Sequence, residues 1–193
     1  MRNFSEILDS QKDTNLENSV VDYENQEPVN NEESITRPVS DLILGVLYKR
    51  YAEEILQWYH YWTVSQFMCG AERPNIEKSF GEFADDELND HAAKILKRIN
   101  ELNGDIEMLK NIDTLKALSD CEYVNPSLPY DTIQLVTINV EHEKCAIKGY
   151  KELCDLCRES DPVTYDMAVD ILTDEEEHLR ALEDYLNDQN IKA

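Results

Sequence analysis

Glu175 and His178 stand three residues apart in the run Asp174-Glu175-Glu176-Glu177-His178. On a helix that spacing puts both side chains on one face. The face is otherwise apolar, carrying Ala168, Ile171, Leu172, Leu179, Leu182 and Leu186. A carboxylate and an imidazole turned together toward an apolar interior are costly unless something neutralises them. A metal ion does so most directly. A Glu-x-x-His from one helix and a lone Glu from a neighbour make half of a di-iron carboxylate centre in a helical bundle.

The rest of the chain offers the other half. Glu54 lies at the edge of an apolar stripe, between Tyr51, Trp58 and Tyr61. Glu87 and His91 share a face with Phe80, Ala84, Leu88, Ile95, Ile99 and Leu102. Glu143 falls in the stripe of Val136, Val140, Ile147, Tyr150, Cys154 and Cys157. Glu54 precedes Glu87 by 33 residues, and Glu143 precedes Glu175 by 32. Each half thus carries a lone core-facing Glu, then a Glu paired with a His about one helical turn on. Any one of these acids reads equally well as half of an ordinary ion pair. Six residues repeating across two halves point to metal, and carboxylates with imidazoles suit iron or manganese. Tyr61, two turns beyond Glu54, reads either as packing or as a hydrogen-bond donor or electron carrier. Glu53 aligns with Arg50 and Gln57 and is expected to face solvent, as is Glu141.

Four helices are expected to position these groups: 40–69, opened by Ser40 and closed by Gly70; 74–103, with Pro74 in its first turn and Gly104 after it; 131–158; and 162–187, with Asp161 as N-cap and Pro162 following. Leu42, Leu47, Tyr48, Tyr51, Ile55, Trp58, Trp62 and Phe67 mark the buried stripe of the first. The first two are joined by few residues and should be antiparallel. A long connection, with a short helix near 106–118 and a stretch that Pro126 and Pro129 keep from being helical, precedes the third. The fold class is therefore all-α, a four-helix bundle over 39–189 with one long crossover between the second and third helices. Residues 1–38 are polar and aperiodic and are expected to form a disordered acidic tail.

The net charge is −23. Such a surface repels nucleic-acid phosphate and anionic lipid and attracts cations. No run of 18 apolar residues suggests a membrane span, and the first residues lack the apolar stretch of a secretory signal. Five cysteines in such a chain read as reduced thiols of a cytoplasmic protein.

Residues 42–187 resemble the ferritin-like superfamily, and within it bacterioferritin. Glu54 with Tyr61, Asp86-Glu87, His91-Ala92, Glu143, and the Asp174–His178 run with Leu182-Glu183 follow that pattern. Cys121-Glu122-Tyr123 and Glu143-Lys144-Cys145-Ala146-Ile147 resemble more closely the Dps-like subgroup called thioferritins, in which two cysteines flank a bacterioferritin-type di-iron site. The resemblance implies a ferroxidase that oxidises Fe(II) with peroxide or oxygen, stores the ferric product and so protects against oxidative damage. It implies two iron ions, with manganese or zinc as alternatives in the isolated protein. Glu87 and Glu175 would bridge them, His91 and His178 would cap one each, and Glu54 and Glu143 would be terminal. It implies a dodecameric shell, and a redox role for Cys121 and Cys145, which a folded-back crossover would bring within disulfide reach.

Two features depart from the pattern. Glu87 and His91 are one residue further apart than in Glu-x-x-His; position i+4 still shares the face, or a π-bulge absorbs the extra residue, and Asp90 is the alternative ligand. The haem methionine of bacterioferritin has no counterpart near Leu88 and Asn89, so no haem is expected. Cys154 and Cys157 read as packing. A non-storing di-metal oxidase or peroxidase, like rubrerythrin or manganese catalase, is the alternative, although rubrerythrin's additional Cys-x-x-Cys motifs are missing from the sequence. DNA coating through the terminus is disfavoured, because residues 1–38 carry nine acids against Arg2, Lys12 and Arg37. A metal-free structural bundle is the remaining reading.

Overall fold

Helix starts follow local chemistry. Asp131 accepts a hydrogen bond from the Gln134 N–H at 3.0 Å, and Asp161 accepts one from Thr164 at 3.1 Å with Pro162 between them. Gly70, at φ 90°, sits in the left-handed region that turns the chain between the first two helices. The computed structural model describes residues 33–68, 70–123 and 131–192. Its elements are α1 (Glu33–Phe67), α2 (Arg73–Asp85), a π-helical segment (Asp86–Ala92), α3 (Ala93–Glu101), a 3₁₀ turn (Ile106–Leu109), α4 (Ile112–Leu118), α5 (Thr132–Cys157) and α6 (Pro162–Lys192). The expected second helix is thus α2 and α3, continuous through the π segment.

The first helix begins at Glu33, before the expected Ser40, with Pro38 inside it. Residues 1–32, most of the expected tail, lie outside the described residues, as do Cys69, Pro126 and Pro129. No described helix is long and apolar enough to cross a membrane.

Two apolar clusters fill the bundle. One joins Ile43 and Leu47 of α1, Ile95 and Ile99 of α3, Leu153 and Cys157 of α5, and Ala168 and Ile171 of α6. The other joins Tyr61 of α1, Ile76, Phe80 and Ala84 of α2, Leu135, Val136 and Val140 of α5, and Leu182 of α6. The order of these positions makes α1 antiparallel to α2–α3 and to α5, and parallel to α6. That is the ferritin-like arrangement with a long crossover, as expected. All six candidate ligands lie, in sequence, between the residues that their helices give to the two clusters. They therefore occupy a layer of their own.

Some expectations about faces fail. Leu42, Trp62 and Phe67 are half or more exposed, because the stripe drawn through them is wider than the face α1 buries. Glu53, expected in solvent, is buried. Its carboxylate takes Arg50 Nη2 at 2.9 Å and the Asp120 backbone N–H at 2.9 Å. The Tyr123 hydroxyl donates to the Glu53 carbonyl at 3.1 Å. Burial raises the Glu53 pKa to about 7 even though Arg50 opposes the shift. Glu53 thus pins the crossover to α1. The sequence pattern missed this because its partners, Asp120 and Tyr123, are far away in the chain.

Gly149 of α5 makes room for this arrangement. A Cβ there would lie 0.9 Å from Arg50 Nη1. Gly149→Ala should push the guanidinium off Glu53 and cost about 2–4 kcal/mol, since it breaks a buried pair. Gly81→Ala, which meets nothing within 4 Å, should be neutral or stabilise by roughly 0.5–1 kcal/mol. Urea unfolding midpoints check both, and equal midpoints would contradict the packing argument.

Candidate metal centre

The six residues named from sequence converge. Glu54, Glu87, His91 and Glu175 present ligand atoms that all lie within 4.8 Å of one another. So do Glu87, Glu143, Glu175 and His178. The two sets share Glu87 and Glu175, and every member is buried. His91 Nδ1 lies 3.3 Å from oxygens of Glu54, Glu87 and Glu175. His178 Nδ1 lies 3.5 Å from Glu87 Oε1 and 3.9 Å from Glu175 Oε2.

The π segment explains how the longer Glu87–His91 spacing works. Its wider turn absorbs the extra residue and keeps residues 87 and 91 on one face. Asp90, the alternative ligand, is half-exposed and pairs with Lys94 at 2.5 Å.

Each acid that belongs to only one of the two sets is held by a tyrosine from the opposite helix. Tyr61 of α1 donates to Glu143 Oε1, which also takes Gln57 Nε2 at 2.8 Å. Tyr150 of α5 donates to Glu54 Oε1. Tyr61 follows Glu54 by seven residues and Tyr150 follows Glu143 by seven, so the two contacts are one device used twice. Tyr150 had read only as part of an apolar stripe, although this repeated spacing could have revealed it. Two aspartates act crosswise as well. Asp86, just before Glu87, lies 3.3 Å from His178 Nε2, and Asp174, just before Glu175, lies 3.5 Å from His91 Nε2. The Asp86 contact orients the His178 imidazole so that Nδ1 faces the acids, whereas His91 Nε2 has no hydrogen-bond partner among the described residues.

The electrostatics are those of a site built around positive charge. Burial, with Glu54 nearby, raises the Glu87 pKa well above the carboxylate range. Burial, with Glu175 nearby, does the same to Glu143. Glu175 is raised to about 8 by burial and by Glu87 and Glu54. Burial also pushes Glu54 upward, but hydrogen bonds with Glu87, His91 and Tyr150 bring it below its usual value. Burial would lower His91, yet hydrogen bonds to Glu175, Glu54 and Glu87 pull it above the imidazole range. Crowded acids resist sharing a dry space without a cation. Glu87 Oε1, Glu143 Oε2 and His178 Nδ1 are buried with no hydrogen-bond partner among the described residues. Oxygen donors with one nitrogen per position are what iron or manganese accept, so the residues fit a metal pair.

Cys121 and Cys145 are joined in a disulfide with Cα atoms 5.9 Å apart. Cys154 and Cys157 are buried free thiols in the core cluster at one end of the bundle, which agrees with packing. Two imidazoles the sequence reading passed over, His60 and His142, are also buried. Burial lowers their pKa values to about 4 and about 3.

The fold and this layer define an all-α four-helix bundle with a carboxylate–histidine centre. The chain belongs to the ferritin-like family, whose sequence profile, described as a ferritin-like domain, matches residues 45–191. It is similar to a protein of Pyrococcus furiosus named DNA protection during starvation protein, with 32% identity over 163 residues, 82% of this chain and 85% of that one. It is similar to the structure of a bacterioferritin-related protein of Bacteroides fragilis, described as a dodecameric thioferritin. The TM-score is 0.75 and the identity 31%, covering 83% of this chain and 96% of that one. An archaeal Dps homologue from Halobacterium salinarum shares the fold, with a TM-score of 0.71 and 19% identity over 77% of this chain and 81% of that one. The expected membership of the ferritin-like and Dps-like superfamily is therefore shown.

Because the acids repel one another, a divalent cation should stabilise the fold measurably. Anaerobic Mn2+ at about 100 times its dissociation constant should add about 2.7 kcal/mol, or about 5–10 °C in Tm for a chain of this size. Glu87→Ala should lose most of that shift in differential scanning fluorimetry. An unchanged wild-type Tm would count against the site.

Proposed function

We propose that this protein is a ferroxidase of the mini-ferritin type, which oxidises Fe(II) with peroxide or oxygen and stores the ferric product in a homo-oligomeric shell. The observation that carries the reading is the pair of four-residue ligand sets that share Glu87 and Glu175. Shared carboxylates can hold two cations close enough to serve one oxidant. Glu87 and Glu175 would bridge, Glu54 with His91 would complete one position, and Glu143 with His178 the other. Two Fe(II) ions supply one electron each, and peroxide takes both electrons and two protons to leave as two waters, without releasing a one-electron hydroxyl radical.

The chain's own groups prepare that step. Tyr61 and Tyr150 keep the terminal acids from swinging. Asp86 orients the His178 imidazole. Phe83, with its ring 4.3 Å from that of His178, packs beside the centre and limits water. The Cys121–Cys145 pair would meet oxidant near the centre and cycle between thiols and disulfide.

The shell is supported by the Bacteroides fragilis protein, which is described as dodecameric. The name of the Pyrococcus furiosus relative refers to DNA protection. A net charge of −23 suits protection by removing iron and peroxide rather than by coating phosphate.

Glu175→Ala and His178→Ala should each slow stopped-flow Fe(II) oxidation by more than about 100-fold, beyond the loss usual for outer partners of a metal site. Their helical content by circular dichroism should be unchanged. Wild-type rates in both variants would overturn the assignment.

A further inference from the structure

Where the crossover lies over α1 and α5, two imidazoles are buried without the partners burial demands. His60 of α1 and His142 of α5 are 5% and 3% exposed, with ring centroids 5.0 Å apart. His60 Nε2 and both ring nitrogens of His142 have no hydrogen-bond partner among the described residues. A neutral imidazole must still carry one N–H, and leaving a buried donor unsatisfied costs about 1–3 kcal/mol. The Glu122 backbone carbonyl acts on His142 from the crossover, but without the geometry of a full hydrogen bond.

A disulfide is tied to the helix turn that carries one of these imidazoles. Cys145 follows His142 by one turn in His142-x-x-Cys145, so the two share a face of α5. Cys121 is bonded to Cys145 and directly precedes Glu122. The Tyr123 ring packs on His142 at 4.7 Å, and its hydroxyl is tied to the Glu53 carbonyl. The crossover therefore ties one sulfur to another a helical turn from His142 and closes an aromatic ring over that imidazole.

We propose that when the Cys121–Cys145 disulfide is reduced, the two thiolates join His142 and His60 in a second metal site, selective for a cation that takes sulfur and imidazole ligands, with Zn2+ as its prime case. The proposal rests on the reading above that the cysteine pair cycles. Two cysteines and two histidines are a complete tetrahedral set for zinc. Two thiolates about 2.3 Å from one zinc stand about 3.8 Å apart, a modest opening for residues whose Cα atoms are 5.9 Å apart in the disulfide. Two thiolate charges cancel the cation's charge, so the buried site is neutral. The oxygen-rich centre next door favours harder cations, which keeps the two sites distinct.

Such a site would be emptied by the oxidant that the neighbouring centre consumes. Peroxide takes two electrons from the two thiolates, the S–S bond forms, and with two protons peroxide leaves as two waters. The sulfur electron pairs that held the cation are then committed to the disulfide, and the cation is released. Zinc occupancy would report peroxide independently of the iron chemistry.

The probe is Co2+, which substitutes for Zn2+ and shows a sulfur-to-metal absorption band only when thiolate binds it. Reduced full-length protein should develop that band to one Co2+ per chain, and Zn2+ should displace it. Stoichiometric peroxide, or Cys145→Ser, should abolish it. His60→Asn and His142→Asn, which keep a polar side chain of similar size, should each weaken Zn2+ binding by at least about 10–100-fold. Glu175→Ala should keep the band while losing Fe(II) oxidation, which separates this proposal from the ferroxidase reading. The absence of a band in the reduced wild type would overturn it. So would a band that survives both histidine changes together, or one that disappears in Glu175→Ala.

Discussion

The structure depends on a layer of buried charge. Four carboxylates and two imidazoles lie between two apolar clusters, and none is more than 5% exposed. An interior of this kind is unfavourable by itself, since each acid loses its water and meets like charge. It persists because helix packing on both sides sets the register of the layer, while Phe83, Asp86, Asp174 and His178 line an open cavity at its edge. The raised pKa values of Glu87, Glu143 and Glu175 express that tension. A pair of cations would resolve it, and the same strain that weakens the bare fold would become affinity for metal.

Around the layer, each contact is used twice. The Tyr61–Glu143 and Tyr150–Glu54 contacts cross between α1 and α5. The Asp86–His178 and Asp174–His91 contacts cross between the second and fourth bundle helices. Each half of the chain thus contacts the acids and imidazoles of the other, and both candidate sets draw on both halves. The exception is the π segment, which only the Glu87–His91 half requires.

Much of this was legible in the sequence, for a specific reason. Acids and histidines on the apolar face of a helix are rare, so Glu54, Glu87, His91, Glu143, Glu175 and His178 stand out against their neighbours. Helix ends were legible where Asp161, Pro162 and Gly70 act locally. Periodicity failed where a side chain's fate is decided by a residue far along the chain. Glu53 reads as a surface acid until Asp120 and Tyr123 fold over it. Tyr150 reads as core until Glu54 faces it, and nothing in the pattern singles out His60 and His142, which are buried. Trp62 and Phe67 show the opposite error, since an apolar residue on a helix need not be buried by its own chain.

The central claim is that the shared acids hold two metal ions in each chain. It is tested most directly by anomalous diffraction from crystals soaked anaerobically in Fe(II). Two anomalous peaks per chain are expected, with Glu87 and Glu175 contacting both. Glu54 and His91 should contact only one peak, and Glu143 and His178 only the other. A single peak, or none within this layer, would contradict it.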